Sequence, residues 1–172
     1  MQPIKMLMLY LVLLLVMLSQ TVHALPEDQD QPIYVTADQA SMNELTGIAV
    51  YTGSVEIRQG TMLMLGSRVE MHRDDSGSIS RILSTGSPAE FHQQASANQP
   101  VTKAYGLRMD YRVPTQTVTI TENARVLQDA DEFTGERIVY DMDKSIVDAF
   151  RSESQDGQRV QMIIQPKGNQ QP

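Results

Sequence analysis

Few side chains in this chain are equipped for chemistry. Past the first two dozen residues there are two histidines, His72 and His92. There are also three groups of carboxylates: Asp74-Asp75, Asp110, and Asp129 with Asp131 and Glu132. A metal centre needs three or four converging N, S or O ligands, and neither histidine has such a cluster near it in the chain. Both are expected to be satisfied or solvent-facing, and no metal site is expected. No Gly-rich loop runs into Lys followed by Ser or Thr, so the phosphate cradle of nucleotide hydrolysis is missing. Gly-x-Ser-x-Gly is absent and the cysteine count is 0, which removes two familiar nucleophiles. The carboxylates fall at turns or at outward-alternating positions, where solvation accounts for them. A glycoside-cleaving pair would also want aromatic platforms, and the chain has no Trp. The expectation is a protein that is not an enzyme and uses no cofactor.

Two cations stand out by position. Arg68 and Arg137 occupy equivalent places in an internal repeat, in which residues 40–72 reappear as 109–141, an offset of about 69 residues. Thr52-Gly53-Ser54-Val55-Glu56-Ile57-Arg58-Gln59 aligns with Thr121-Glu122-Asn123-Ala124-Arg125-Val126-Leu127-Gln128, and Leu65-Gly66-Ser67-Arg68-Val69 with Thr134-Gly135-Glu136-Arg137-Ile138. In a net acidic chain the two arginines are read as surface ion-pair partners of nearby Glu, with a phosphate group as the alternative.

The elements that carry these residues are strands. Within both copies the apolar residues recur at every second position, the period of a half-buried β-strand. Ala49, Tyr51, Val55 and Ile57 share a parity, as do Met62 and Met64; Leu107, Met109, Tyr111 and Val113 alternate up to Pro114. Arg73-Asp74-Asp75-Ser76-Gly77 and Ser84-Thr85-Gly86-Ser87-Pro88 are dense turn signals. Residues 93–100 are polar and aperiodic, as in a loop. No stretch carries a 3.6-residue stripe over three turns. The fold class is all-β and antiparallel, with strands near Ile33 and Ile164 at the outer edges, where unpaired N–H and C=O groups invite another sheet.

The first residues are an export address. Lys5 precedes thirteen unbroken apolar residues, 6–18, and Val22-His23-Ala24 supplies small residues for a peptidase. A spanning helix needs about 20, so residues 1–24 are expected to be a signal peptide cleaved after Ala24. Residues 25–31 are then a flexible acidic leader, 32–165 one domain, and 166–172 a disordered tail. Net charge is −7, and losing Lys5 makes it more negative, so no general affinity for nucleic acid or anionic bilayers is expected. Without disulfides the exported chain rests on burial and hydrogen bonds alone. About 150 residues suffice, since such a domain buries roughly 68–70% of its unfolded surface.

Asp30-Gln31-Pro32-Ile33, Ala37-Asp38-Gln39-Ala40, Tyr51-Thr52-Gly53-Ser54-Val55 and Gln59-Gly60-Thr61 form an ordered succession, extended by Pro88-Ala89-Glu90-Phe91, Tyr111 and Glu122-Asn123-Ala124. Together they resemble the OstA-like family of periplasmic lipopolysaccharide-transport proteins over nearly all of residues 30–164. Glu122 departs from the pattern, which usually has Gly there, and Asp131 stands where the first copy has Met62. The resemblance implies a single elongated β-jelly roll, a V-shaped slab whose apolar interior takes lipid A acyl chains. It also implies head-to-tail self-association through edge strands and contacts with an LptC-like inner-membrane protein and an LptD-like outer-membrane protein. The interior residues it singles out, all inward by alternation, are Ile33, Val35, Phe91, Tyr111 and Val113, with Met62, Met64, Val118 and Ile120 as further lining. Seven of the eleven methionines lie beyond the leader, and Met suits surfaces that must adapt to variable apolar ligands. The alternative is a β adaptor with a dry core that only tethers envelope proteins through its edges.

Overall fold

The computed structural model describes residues 28–94, 99–152 and 159–165. The signal peptide and tail foreseen at the two termini lie outside these. Ten strands follow one another along the chain: β1 (Tyr34–Thr36), β2 (Gln39–Asn43), β3 (Ile48–Gln59), β4 (Met62–Arg73), β5 (Ile79–Gln93), β6 (Thr102–Arg112), β7 (Thr117–Gln128), β8 (Asp131–Asp141), β9 (Ile146–Phe150) and β10 (Gln161–Ile163). They form one antiparallel sheet in the order β1-β3-β4-β5-β6-β7-β8-β10, with β2 also on β3 and β9 also on β8. The all-β expectation and the outer strands near Ile33 and Ile164 are both met.

The sheet is not flat. Every pairing between consecutive long strands is interrupted at one level: between Thr52 and Val55, Leu65 and Arg68, Thr85 and Ala89, Tyr105 and Arg108, and Thr121 and Ala124. A bulge bends its strand, and five in a row crease the sheet. On β4 the buried residues change parity across the crease, from Met62 and Met64 to Val69 and Met71; on β6 they change from Ala104 to Met109 and Tyr111. The crease separates two half-sheets. The first contains β1, β10 and the strand portions paired with them; the second contains β2, β9 and theirs.

The halves close on each other. Tyr111 pairs with Ile82 of β5, and Phe91 lies nine residues further along the same strand, about 30 Å in extended chain. The two rings are nevertheless only 6.1 Å apart between centroids. A single buried cluster accordingly draws on both halves, with Ile57, Met64, Phe91 and Val126 from one and Val69, Ile82, Ile120 and Ile138 from the other. This is the jelly roll foreseen.

Two local expectations are corrected. Ser84-Thr85-Gly86-Ser87-Pro88 is no turn: β5 runs through it, because both neighbours extend past it and the Ser/Gly/Pro composition serves the crease instead. Val113 is not a strand residue: β6 ends at Arg112, and Val113–Thr115 form a 3-10 turn with Pro114 near its start, where a missing N–H is tolerated.

Candidate functional site

Alternation on a creased sheet gives the molecule an apolar interior and two rims, and the nominated residues divide between them. Met62, Met64, Phe91, Tyr111, Val118 and Ile120 all lie within the buried cluster, and four of them are completely enclosed. Ile33, Val35 and Val113 are partly buried against it. Of these, Ile33 and Val35 line a cavity. With Ala49, Tyr51, Met71 and Ile79 they border a cavity of about 160 Å³ between the first strand and the second half-sheet, and Arg73 stands at its edge. Five aliphatic or thioether side chains line it together with Tyr51 and Arg73, so it can take hydrocarbon with polar groups at its edge.

Tyr111 brings a polar group into the interior. Burial pushes its phenol up to about 12, and the Asp28 carboxylate adds to the effect. The ring is therefore neutral at physiological pH and presents an apolar face to Phe91.

Sequence reasoning missed a clasp at the rim of the first half-sheet. The leader expected over 25–31 enters the described residues at Asp28, which opens a 3-10 turn, Asp28–Asp30. One Asp28 oxygen accepts from the Thr61 backbone N–H at 2.6 Å; the other accepts from Thr61 Oγ1 at 2.7 Å and Gln93 Nε2 at 3.1 Å. Gln59 Nε2 donates to the Gln31 carbonyl at 3.0 Å. Partners 33 and 65 residues away leave no local signal.

The charged groups are mostly engaged outside the interior. Arg68 Nη2 lies 2.6 Å from Glu70, the neighbouring-Glu pairing expected of it. Arg137 instead stacks over the Phe150 ring at 3.9 Å, a cation–π contact. Both flank the crease and face away from the apolar cavity's wall. Asp110, expected to be merely solvated, holds Arg81 in a bidentate pair at 2.8 and 2.5 Å. Burial works to raise its carboxyl, but Arg81, with Arg112 and Arg108, holds it below the usual carboxylate range. The histidine expectation is also corrected: Nε2 of both His72 and His92 is buried without a hydrogen-bond partner. Their carboxylate neighbours, Glu70 at 3.6 Å and Glu90 at 3.2 Å, share the same strand face and approach without aligning. Among the described residues no group of three or more His, Cys, Asp or Glu could hold a metal ion. No helix among them is long and apolar enough to cross a membrane.

Comparisons with known proteins agree with this architecture. The family model described as LptA/(LptD N-terminal domain) LPS transport protein matches residues 34–146. The lipopolysaccharide export system protein LptH of Pseudomonas aeruginosa is 40% identical over 148 residues, 84% of this chain and 85% of its own length. The export system protein LptA of Escherichia coli K12 is 29% identical over 144 residues, 83% and 76% of the two chains. The crystal structure of P. aeruginosa LptH, described as the LptA-homologous periplasmic component of the lipopolysaccharide transport device, superposes with a TM-score of 0.76 at 37% identity. It covers 82% of this chain and 100% of that one. With a family model spanning most of the creased sheet, and a relative so similar over most of both lengths, the chain belongs to the LptA/LptD N-terminal domain family of lipopolysaccharide transport proteins.

Proposed function

We propose that this protein carries lipopolysaccharide between the inner and outer membranes, shielding the acyl chains in its apolar interior and acting without catalysis. The observation that carries the reading is the cavity at Ile33 and Val35. It is a gap between two half-sheets, lined largely by aliphatic side chains and continuous through Ala49 and Met71 with a buried cluster that includes Met62 and Met64. Burial is worth about 0.8 kcal/mol per CH₂, so a chain of ~12 carbons exposed to water costs on the order of 10 kcal/mol. A carrier must offset most of that and still let go. The unbranched thioether of Met71, which lines the cavity, can repack around a guest. In this reading Phe91, Tyr111, Val113, Val118 and Ile120 become lining when the halves part.

The remaining features of the reading concern assembly. The protein works in the periplasm after removal of residues 1–24. It joins copies of itself head to tail, with an LptC-like protein at one end and an LptD-like protein at the other. What supports this is the state of the two sheet edges: Tyr34 and Met42 on β1 and β2, and Ile146, Phe150, Met162 and Ile163 on β9 and β10, are exposed apolar residues on edge strands. Such edges pair with other sheets.

Photo-crosslinking in cells tests the cargo. A photoreactive residue at Val35 or Tyr111 should yield a lipopolysaccharide adduct, and one at Tyr34 or Asp110, on the opposite face, should not. The complete enclosure of Met64, Phe91 and Ile120 favours a second reading, a dry-core tether. That reading expects protein adducts alone at all four positions.

A further inference from the structure

On the outer side of the rim that borders the apolar cavity lies a second cavity, of about 470 Å³. His72, Arg73, Arg81 and Arg112 line it, with the hydroxyls of Ser80 and Thr115. No carboxylate is among its lining residues, in a chain whose net charge is −7. We propose that this pocket binds a phosphate group of the lipid whose acyl chains enter the interior.

Register places the basic side chains together. His72 of β4 pairs with Arg81 of β5, and Arg81 pairs with Arg112 of β6, so three basic side chains stand in one cross-strand row at about 4.8 Å per strand. Like charges placed directly opposite repel, and the compensation inside the protein is incomplete. Asp110, one row away, gives both its oxygens to Arg81 and lies 3.5 Å from Arg112 Nε, and Glu70, already bonded to Arg68, adds only a longer-range attraction on Arg81. Arg73 Nη1 reaches only the Gly77 carbonyl, at 3.4 Å. His72 Nε2 is buried and unpartnered, with Glu70 Oε2 at 3.6 Å, too long for a hydrogen bond. The pocket thus gathers three guanidiniums and the Thr115 hydroxyl around an incompletely neutralised centre, the Ser80 hydroxyl already donating to the His72 carbonyl, and this donor set matches a phosphate oxyanion.

Arg73 decides which phosphate. It lines both cavities, the apolar one inside the rim and the cationic one outside. A ligand satisfying both must carry hydrocarbon and phosphate in one molecule, with the junction lying over the β4–β5 rim. This inference rests on the carrier reading above and adds a head-group subsite to it. It also moves that role away from Arg68 and Arg137, which lie beside the crease.

The test compares three probes on the protein as isolated from cells: lipopolysaccharide, the same lipid after enzymatic phosphate removal, and inorganic phosphate. The variant is Arg73→Gln with Arg112→Gln. Both side chains are exposed, so the urea midpoint should stay unchanged and report an intact fold. The unaltered protein should bind the phosphorylated lipid about tenfold more tightly than the dephosphorylated one, the range of a charge-assisted contact. The variant should bind both with the weaker affinity. A variant that keeps the tenfold preference overturns the pocket and leaves the interior reading intact. So does an unaltered protein that binds both lipids equally well. Inorganic phosphate shifting the Arg73 and Arg112 side-chain resonances in that case marks a free-phosphate site, which also overturns the lipid assignment. If neither lipid binds, the carrier reading itself fails and the pocket's role falls with it.

Discussion

The β3–β4 hairpin and its copy, β7–β8, share a backbone and differ in what leans on it. Both are interrupted at the same place, after Thr52 and after Thr121. Both use two residues with positive φ there: Gly53 at +78° and Ser54 at +43° in the first, Glu122 at +64° and Asn123 at +60° in the second. Their turns match as well, with Gly60 and Asp129 each at φ +55°. The first copy needs its glycines for space. A Cβ on Gly53 would sit 2.1 Å from an Asp38 carboxylate oxygen, and one on Gly60 would sit 2.2 Å from Asp28 Oδ1. The chain entering β1 and β2 crosses the first hairpin at both points, Asp38 N–H donating to Gly53 O at 3.0 Å. In the second copy the close approach falls on β8 instead, where a Cβ on Gly135 would sit 2.9 Å from the Phe150 carbonyl oxygen, and the β7 positions 122 and 123 are exposed, so side chains return there. One conformation is therefore met in two ways, and the difference records which strand of each hairpin the neighbouring chain covers.

The interior differs in the same sense. Met62 and Met64 are buried in the first copy, while their counterparts Asp131 and Phe133 are only half-buried. The largest expected effect tests this contrast. Met64→Ala should destabilise by about 2–5 kcal/mol, the range for a fully enclosed side chain, and Phe133→Ala by distinctly less despite removing the bigger group. Urea unfolding midpoints compare them; equal losses would mean that the second copy is as well packed as the first.

Gly53→Ala comes next. It combines a left-handed backbone with a collision against Asp38, and a loss of about 2–4 kcal/mol is expected. Heat or urea denaturation measures it. A loss under 1 kcal/mol would show that the β1–β2 crossing yields easily and does not explain the glycine.

The covered end also titrates. Tyr111 has its phenol raised to about 12 against an ordinary value of about 10. The neutral form is the one the fold favours, so the associated stability is fully present below about pH 10 and is lost as pH rises towards 12. Over that window the loss should approach 2–3 kcal/mol. Tyr111→Phe should flatten the alkaline limb of a stability–pH curve. Asp28→Asn, which removes the nearby charge, should change it only slightly.

How much of this was legible depended on how far apart the partners lie in the chain. The period-two pattern and the 69-residue repeat carried the strands and hairpins, because each side chain reports its own face. The crease went unread: Gly66 and Gly135 aligned in the repeat without marking a bend, and at 84–88 the same feature has the composition of a turn, so only the flanking strands reveal that pairing continues. Val113 continued an alternation that Pro114 ends one residue early. The inward parity of Met64, Phe91 and Ile120 was readable; whether they touch open space was not, since that depends on how closely the half-sheets meet. The Asp28 clasp and the Arg81–Arg112 pairing join residues about 30 or more positions apart, and the fold alone unites them. Arg68 and Arg137 drew attention through the repeat, a local signal, although the cations at the rim stand in a richer setting.

The smallest expected effect is a gain. Glu122 occupies a left-handed conformation that costs an L-residue roughly 1–2 kcal/mol, and its side chain is exposed, so little contact energy would be lost with it. Glu122→Gly should recover part of that strain, offset by the greater freedom glycine confers on the unfolded chain. The net stabilisation should be about 0.5–1 kcal/mol in the urea midpoint. The same exchange made in the other copy, Gly53→Glu, would impose the strain and add the Asp38 collision. Opposite signs for the two changes would establish that the repeats share a backbone requirement and that only the first carries a steric one. A neutral or destabilising Glu122→Gly would instead assign the Glu122 side chain a role of its own, with the exposed second bulge as the place to look for its partner.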